Sequence, residues 1–217
     1  MASPRLYIGG AAVSAYDMDA ATGKITPIGE PLEVDGSGSF IWPNAAGTVL
    51  YAVAGPGMAS FSIDAATGAL SHVNTVANEL DGNSHITTNG EVVIAAAYGG
   101  ADGATSGVNV AKIASGGELE EGVTATPHSG GSGVHPGAEA CQDGSHCHSA
   151  YVDPAGAYVL VRPLLLFSLR LTLTRGGLAS LSTAHGHVRC HCRCRTSART
   201  RSTRTPSTTP ATPSPSI

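Results

Sequence analysis

Asp19-Ala20-Ala21-Thr22-Gly23-Lys24-Ile25 recurs 45 residues later as Asp64-Ala65-Ala66-Thr67-Gly68-Ala69-Leu70. Each copy follows a short alternating run, Val13-Ser14-Ala15-Tyr16 in the first and Ala59-Ser60-Phe61-Ser62-Ile63 in the second, and each precedes another extended run. Asp and Thr side chains bond the local backbone and Gly supplies a positive φ, so the repeated residues read as a hairpin loop. A second unit returns at nearly the same interval. Asn44-Ala45-Ala46-Gly47 stands before residues 49–53, Asn89-Gly90 before 92–97, and Asp153-Pro154-Ala155-Gly156 before 157–161. Short strands at a period of 43–45 residues predict β-propeller blades, each of four antiparallel strands. A β-sandwich with similar turns is the competing architecture, and two repeated units at one period weigh against it.

The strands assign themselves from these turns. One blade comprises residues 39–42, 49–54, 58–63 and 70–76, and the next 85–88, 92–97, 107–112 and a strand near 123–126. The first unit, at 6–8, 13–16 and 25–34, lacks an innermost strand. The fourth has two strands, the second ending at Val161. About three and a half blades therefore fill residues 1–161. Residues 162–217 are rich in Arg, Ser, Thr and Pro, without an acid, and are expected to form no further blade and to be disordered. The abrupt switch in composition also fits a shifted reading frame.

Charge follows the same boundary. Three bases against sixteen acids give −13 for residues 1–161, and nine arginines give +9 for the rest. An acidic body is unlike a nucleic-acid binder, which needs clustered Lys and Arg. Five cysteines, three of them at 190, 192 and 194, do not make a disulfide framework. The N-terminus has no apolar run of a signal peptide, and residues 164–173 are too short to span a membrane. A cytoplasmic protein with no membrane partner is expected; the oligomeric state is not legible.

Chemistry concentrates at the starts of innermost strands, which line a propeller's channel. His148 precedes one such strand and His85 begins another, and an imidazole can act as general base or acid near neutral pH. A surface or structural His pair reads equally well from the spacing alone. His128, His135, Cys141 and Cys147 match no familiar closed zinc site, so neither metal nor cofactor is expected. The glycine-rich stretches precede no helix and are not phosphate loops. Ser149 lacks the context of a hydrolase nucleophile. Trp42 and Tyr51 are expected to pack between blades.

These pieces resemble the lactonase family of seven-bladed β-propellers, the bacterial-type 6-phosphogluconolactonases and their carboxymuconate cyclase relatives. The matching residues are Leu6-Tyr7-Ile8-Gly9-Gly10, both Asp-Ala-Ala-Thr-Gly turns, Val49 to Val53, Ser84-His85-Ile86, Ala97-Tyr98-Gly99-Gly100, and the run from His128 into His146-Cys147-His148-Ser149. The resemblance covers residues 6–161. It implies hydrolysis of a sugar lactone, a small-molecule substrate, with His148 catalytic and His85, His146 and Ser149 substrate-binding. It also implies a catalytic arginine and glutamate on later blades, whereas no acid follows Asp153 here. An impaired lactonase is the leading expectation. A carboxymuconate-type lactonising enzyme and a non-catalytic binding module are the alternatives.

Overall fold

The computed structural model describes residues 4–36, 38–55, 57–99, 105–129, 144–153 and 155–163, together with the strand backbones at 169–174 and 177–183. The described residues form four antiparallel sheets in chain order. The first holds β1 (Arg5–Ile8), β2 (Ala12–Met18) and β3 (Ile25–Glu33). The second holds β4 (Ile41–Pro43), β5 (Val49–Ala54), β6 (Gly57–Ile63) and β7 (Leu70–Ala77). The third runs β8 (Asn83–Thr88), β9 (Val92–Ala97), β10 (Ser106–Lys112) and β11 (Thr124–His128). The fourth runs β12 (Cys147–Val152), β13 (Tyr158–Pro163), β14 (Leu169–Thr174) and β15 (Gly177–Thr183). Strands pair with their chain neighbours in every sheet, as in propeller blades.

The repeated turns occupy equivalent hairpins, β2–β3 and β6–β7. Asp19 N–H donates to Lys24 C=O at 2.9 Å and Gly23 N–H to Asp19 C=O at 2.8 Å. Asp64, Ala69 and Gly68 repeat the pattern at 2.9 and 2.7 Å. Asp19 and Asp64 each accept the Thr N–H three residues on, at 2.8 and 2.6 Å. The Thr22 N–H on Asp19, and on Asp64 the Thr67 hydroxyl at 2.7 Å ahead of the Thr67 N–H, hold both carboxyls below the usual carboxylate range. Gly23 and Gly68 close the turns at φ 71° and 79°.

Successive sheets stack face to face, which explains the unbroken apolar run of β5. Val49, Tyr51 and Val53 meet Ile86, Val93 and Ala95 of the third sheet and Leu119 of its β10–β11 connection. Leu50, Ala52 and Ala54, pointing the other way, pack with Val13, Val34 and Phe61. β9 alternates likewise: Ile94 and Ala96 join Val108, Cys147, Ala150, Val159 and Val161 of the next interface. Each fully buried large side chain is worth ~1.5–3 kcal/mol. Polar latches register the layers. Arg5 donates to the carbonyls of Asp64, Ala65 and Ala66 at 3.4, 3.2 and 2.5 Å, and the Tyr7 hydroxyl donates to Gly68 C=O at 3.1 Å. The Asn74 amide donates to Leu119 C=O at 2.7 Å and its oxygen accepts Leu119 N–H at 3.1 Å.

β13 runs two residues past Val161, to Pro163, and β14 and β15 pair beyond it in the fourth sheet. Leu169-Arg170-Leu171-Thr172-Leu173-Thr174 alternates apolar and polar residues, a strand period that the Arg- and Thr-rich composition around it obscured. The remaining stretch, residues 184–217 with Cys190, Cys192 and Cys194, lies outside the described residues, as do His135 and Cys141.

Candidate active site

The innermost strands β8 and β12 share an irregularity. On β8, Asn83 pairs with Ala97 and His85 with Ala96, so Ser84 is an extra residue. On β12, Cys147 pairs with Pro163 and Ser149 with Arg162, so His148 is the extra residue. A two-against-one bulge re-aims the side chain it inserts. By this register His148 is the counterpart of Ser84, and His85 the counterpart of Ser149. The two bulges touch: the Ser84 hydroxyl lies 3.1 Å from Cys147 C=O and 3.0 Å from His148 C=O.

His148 is exposed, with its ring 6.4 Å from Tyr98 at 76°, edge to face. His85 is 4% exposed. Its ring sits 4.2 Å from Phe40, 5.1 Å from Tyr151 and 6.2 Å from Trp42. Burial, with a smaller push from His148, takes the His85 pKa down to about 4. At neutral pH it is an uncharged imidazole. Its Nδ1 is buried with no hydrogen-bond partner among the described residues. A desolvated N–H without an acceptor is costlier than a desolvated lone pair, which places the ring proton on Nε2. His85 and His148 thus sit on neighbouring innermost strands whose bulges meet at Ser84, the first buried and neutral, the second open to solvent.

His146 is also 4% exposed, and it differs from the other described histidines in backbone. Its φ is 43°, the left-handed region. The ring stacks on Tyr98 at 4.5 Å and 27°, and its Nδ1 donates to Tyr98 C=O at 3.1 Å. Ser149 is 5% exposed, with its side chain inside the β12 layer. Cys147 is fully buried, its Sγ 2.8 Å from His128 Nδ1. Burial pushes the Cys147 thiol up, against hydrogen bonds from Ser106 and Ser145, and takes His128 down to about 4. Both partners are therefore neutral, unlike a thiolate–imidazolium nucleophile. Among the described residues no group of three or more His, Cys, Asp or Glu is disposed to hold a metal ion.

Sequence reading missed Tyr98, Ser84 and Tyr151, and gave Trp42 a packing role. Tyr51 does pack between sheets at 1% exposure, but Trp42 stays 37% exposed beside His85. The only signal for Tyr98 was its place in Ala97-Tyr98-Gly99-Gly100. An exposed imidazole beside a neutral, sheltered one, walled by Trp42, Tyr98 and Tyr151, can exchange a proton with a flat ligand or with water.

A family model for "Lactonase, 7-bladed beta-propeller" matches residues 5–165. Among solved structures, a Bacteroides uniformis protein named as a 6-phosphogluconolactonase aligns with TM-score 0.71 at 20% identity, covering 85% of this chain and 56% of its own. A Bacteroides fragilis protein of the same designation aligns with TM-score 0.67 at 21% identity, over 82% of this chain and 52% of its own. The periplasmic gluconolactonase of Pseudomonas aeruginosa aligns with TM-score 0.67 at 17% identity, over 84% and 56%. At these identities the likeness is one of fold. The chain spans about half the length of these structures. No curated protein sequence matches it.

Proposed function

Since the chain belongs to the lactonase family of seven-bladed β-propellers, we propose that it opens a sugar lactone of the 6-phosphogluconolactone type with water, and does so with impaired rate. One observation carries this reading: His148 stands exposed on the bulge of an innermost strand, next to the neutral His85. His148 takes a proton from the attacking water as its oxygen bonds to the lactone carbonyl carbon. The ring C–O bond then breaks, and His148 returns the proton to the departing alkoxide. His85 offers its Nε2–H to a substrate oxygen. Trp42 and Tyr151 supply flat apolar walls. His146 and Ser149, both buried, shape the site from behind. No metal or cofactor enters the proposal.

Impairment is proposed for residues 1–217 taken by themselves: their described residues form four sheets, the family has seven blades, and these residues alone would lack charge preorganised on other blades. Losing one such group costs ~10²–10³ in rate. The cytoplasm is the proposed compartment, and fractionation of the source cells tests it against the periplasmic placement of the Pseudomonas protein.

The test is a substrate panel. Residues 1–217 are expected to accelerate opening of 6-phosphogluconolactone over its spontaneous rate, and to leave a carboxymuconolactone unchanged. Turnover of the muconolactone alone would move the chain to the lactonising branch. Binding of either lactone without turnover of any would favour a binding module.

A further inference from the structure

We propose that His146 is a positioning residue for His148: its left-handed turn creates the bulge that aims the His148 ring at the site. The inference deepens the lactonase reading and rests on it for the role of His148. Its geometric half stands independently.

His146 is the one non-glycine residue in the left-handed region among the described residues. Such backbone persists where its surroundings over-determine it, and it clusters at functional sites. Here the surroundings are visible. Nδ1 of His146 is tied to Tyr98 C=O, and the ring is stacked on Tyr98. One residue on, Cys147 N–H donates to the Ser106 hydroxyl at 2.7 Å. The carbonyls of Cys147 and His148 both face the Ser84 hydroxyl. The His146 side chain, the Cys147 N–H and the carbonyls of Cys147 and His148 thus all meet groups of the third sheet or of Tyr98 just after β9. The extra residue between Cys147 and Ser149 is His148, and its ring meets the edge of Tyr98, which also stacks on His146. Tyr98 therefore connects the strained turn to the exposed ring.

The alternative is that His146 is a packed histidine whose φ is incidental. Two substitutions separate them. Asn tolerates the left-handed region and carries an N–H₂ that can replace the bond to Tyr98 C=O, whereas a β-branched residue does not adopt this backbone. In the full chain, wild type and His146→Asn are expected to show a through-space NMR contact between the ring protons of His148 and Tyr98. His146→Val is expected to lose that contact and to lower kcat on the lactone about tenfold or more, with KM nearly unchanged. Should His146→Val not fold, His146→Ala makes the same test with less strain. Retention of the His148–Tyr98 contact in the Val or Ala variant overturns the proposal, as does an equal loss in His146→Asn. If the wild-type chain opens no lactone, the functional reading falls, and the NMR comparison still decides the geometry.

Discussion

Burial lowers the pKa of His85, and of the half-buried His128, from an ordinary value of 6.5 to about 4. Above pH 6.5 both are uncharged in folded and unfolded chain alike, so they make stability independent of pH there. Below 6.5 the unfolded chain takes up protons that the fold refuses, and stability falls until about pH 4. At 1.36 kcal/mol per unit, each contributes up to about 3 kcal/mol of loss across that window. His85→Phe keeps a ring against Phe40 and Tyr151 without an orphaned nitrogen. It is expected to hold stability above pH 6.5 and to flatten the slope between pH 6.5 and 4, measured by urea unfolding at a series of pH values. An unchanged slope would show that His85 is solvated and free to protonate. None of this was legible in the sequence, because the rings around His85 come from two other strand regions, Phe40 and Trp42 at β4 and Tyr151 in β12. What sequence did offer was the pair of histidines themselves. It missed their one-residue offset, since a bulge is defined by the partner strand and not by the residues that carry it.

Hairpin turns were the most legible elements, because their hydrogen bonds close within five residues. Gly23 and Gly68 look interchangeable in sequence and have nearly equal φ. Their surroundings differ: a Cβ at Gly23 meets nothing, while one at Gly68 runs into the Arg5 side chain. Gly23→Ala is expected to cost about 1–2 kcal/mol from the left-handed backbone alone. Gly68→Ala is expected to cost about 1 kcal/mol more, because it also displaces the Arg5 latch. In an Arg5→Ala background the two costs should converge, a coupling that a double-mutant cycle reads directly. Equal costs with Arg5 present would mean that the latch is slack. β14 and β15 were the least legible elements. Their alternation is real, but composition argued for disorder and there was no repeated turn to mark them.

Across the whole molecule, the sheets differ in how fully they are enclosed. All six residues of β5 are buried between the first and third sheets, and β9 is nearly as enclosed. In the first sheet, β3 is mostly exposed and β1 ends the strand order. Amide exchange is expected to be slowest in β5 and β9 and fastest in β1 and β3, because protection follows burial and pairing. Uniform protection would imply that the first sheet is covered by something further. Enclosure also orders the functional account. Blade period and family were readable because two turns recur at nearly one interval, one in the first two sheets and one in the last three, whereas the site is built across β8 and β12 and is visible only once they are packed. The central claim is that the exposed imidazole on the β12 bulge carries the proton in lactone opening. The most direct measurement is the rate of 6-phosphogluconolactone opening by residues 1–217 and by His148→Ala, each against the spontaneous reaction. The expected result is a modest acceleration by the wild-type chain that His148→Ala abolishes. No acceleration, or one that survives in His148→Ala, would contradict it.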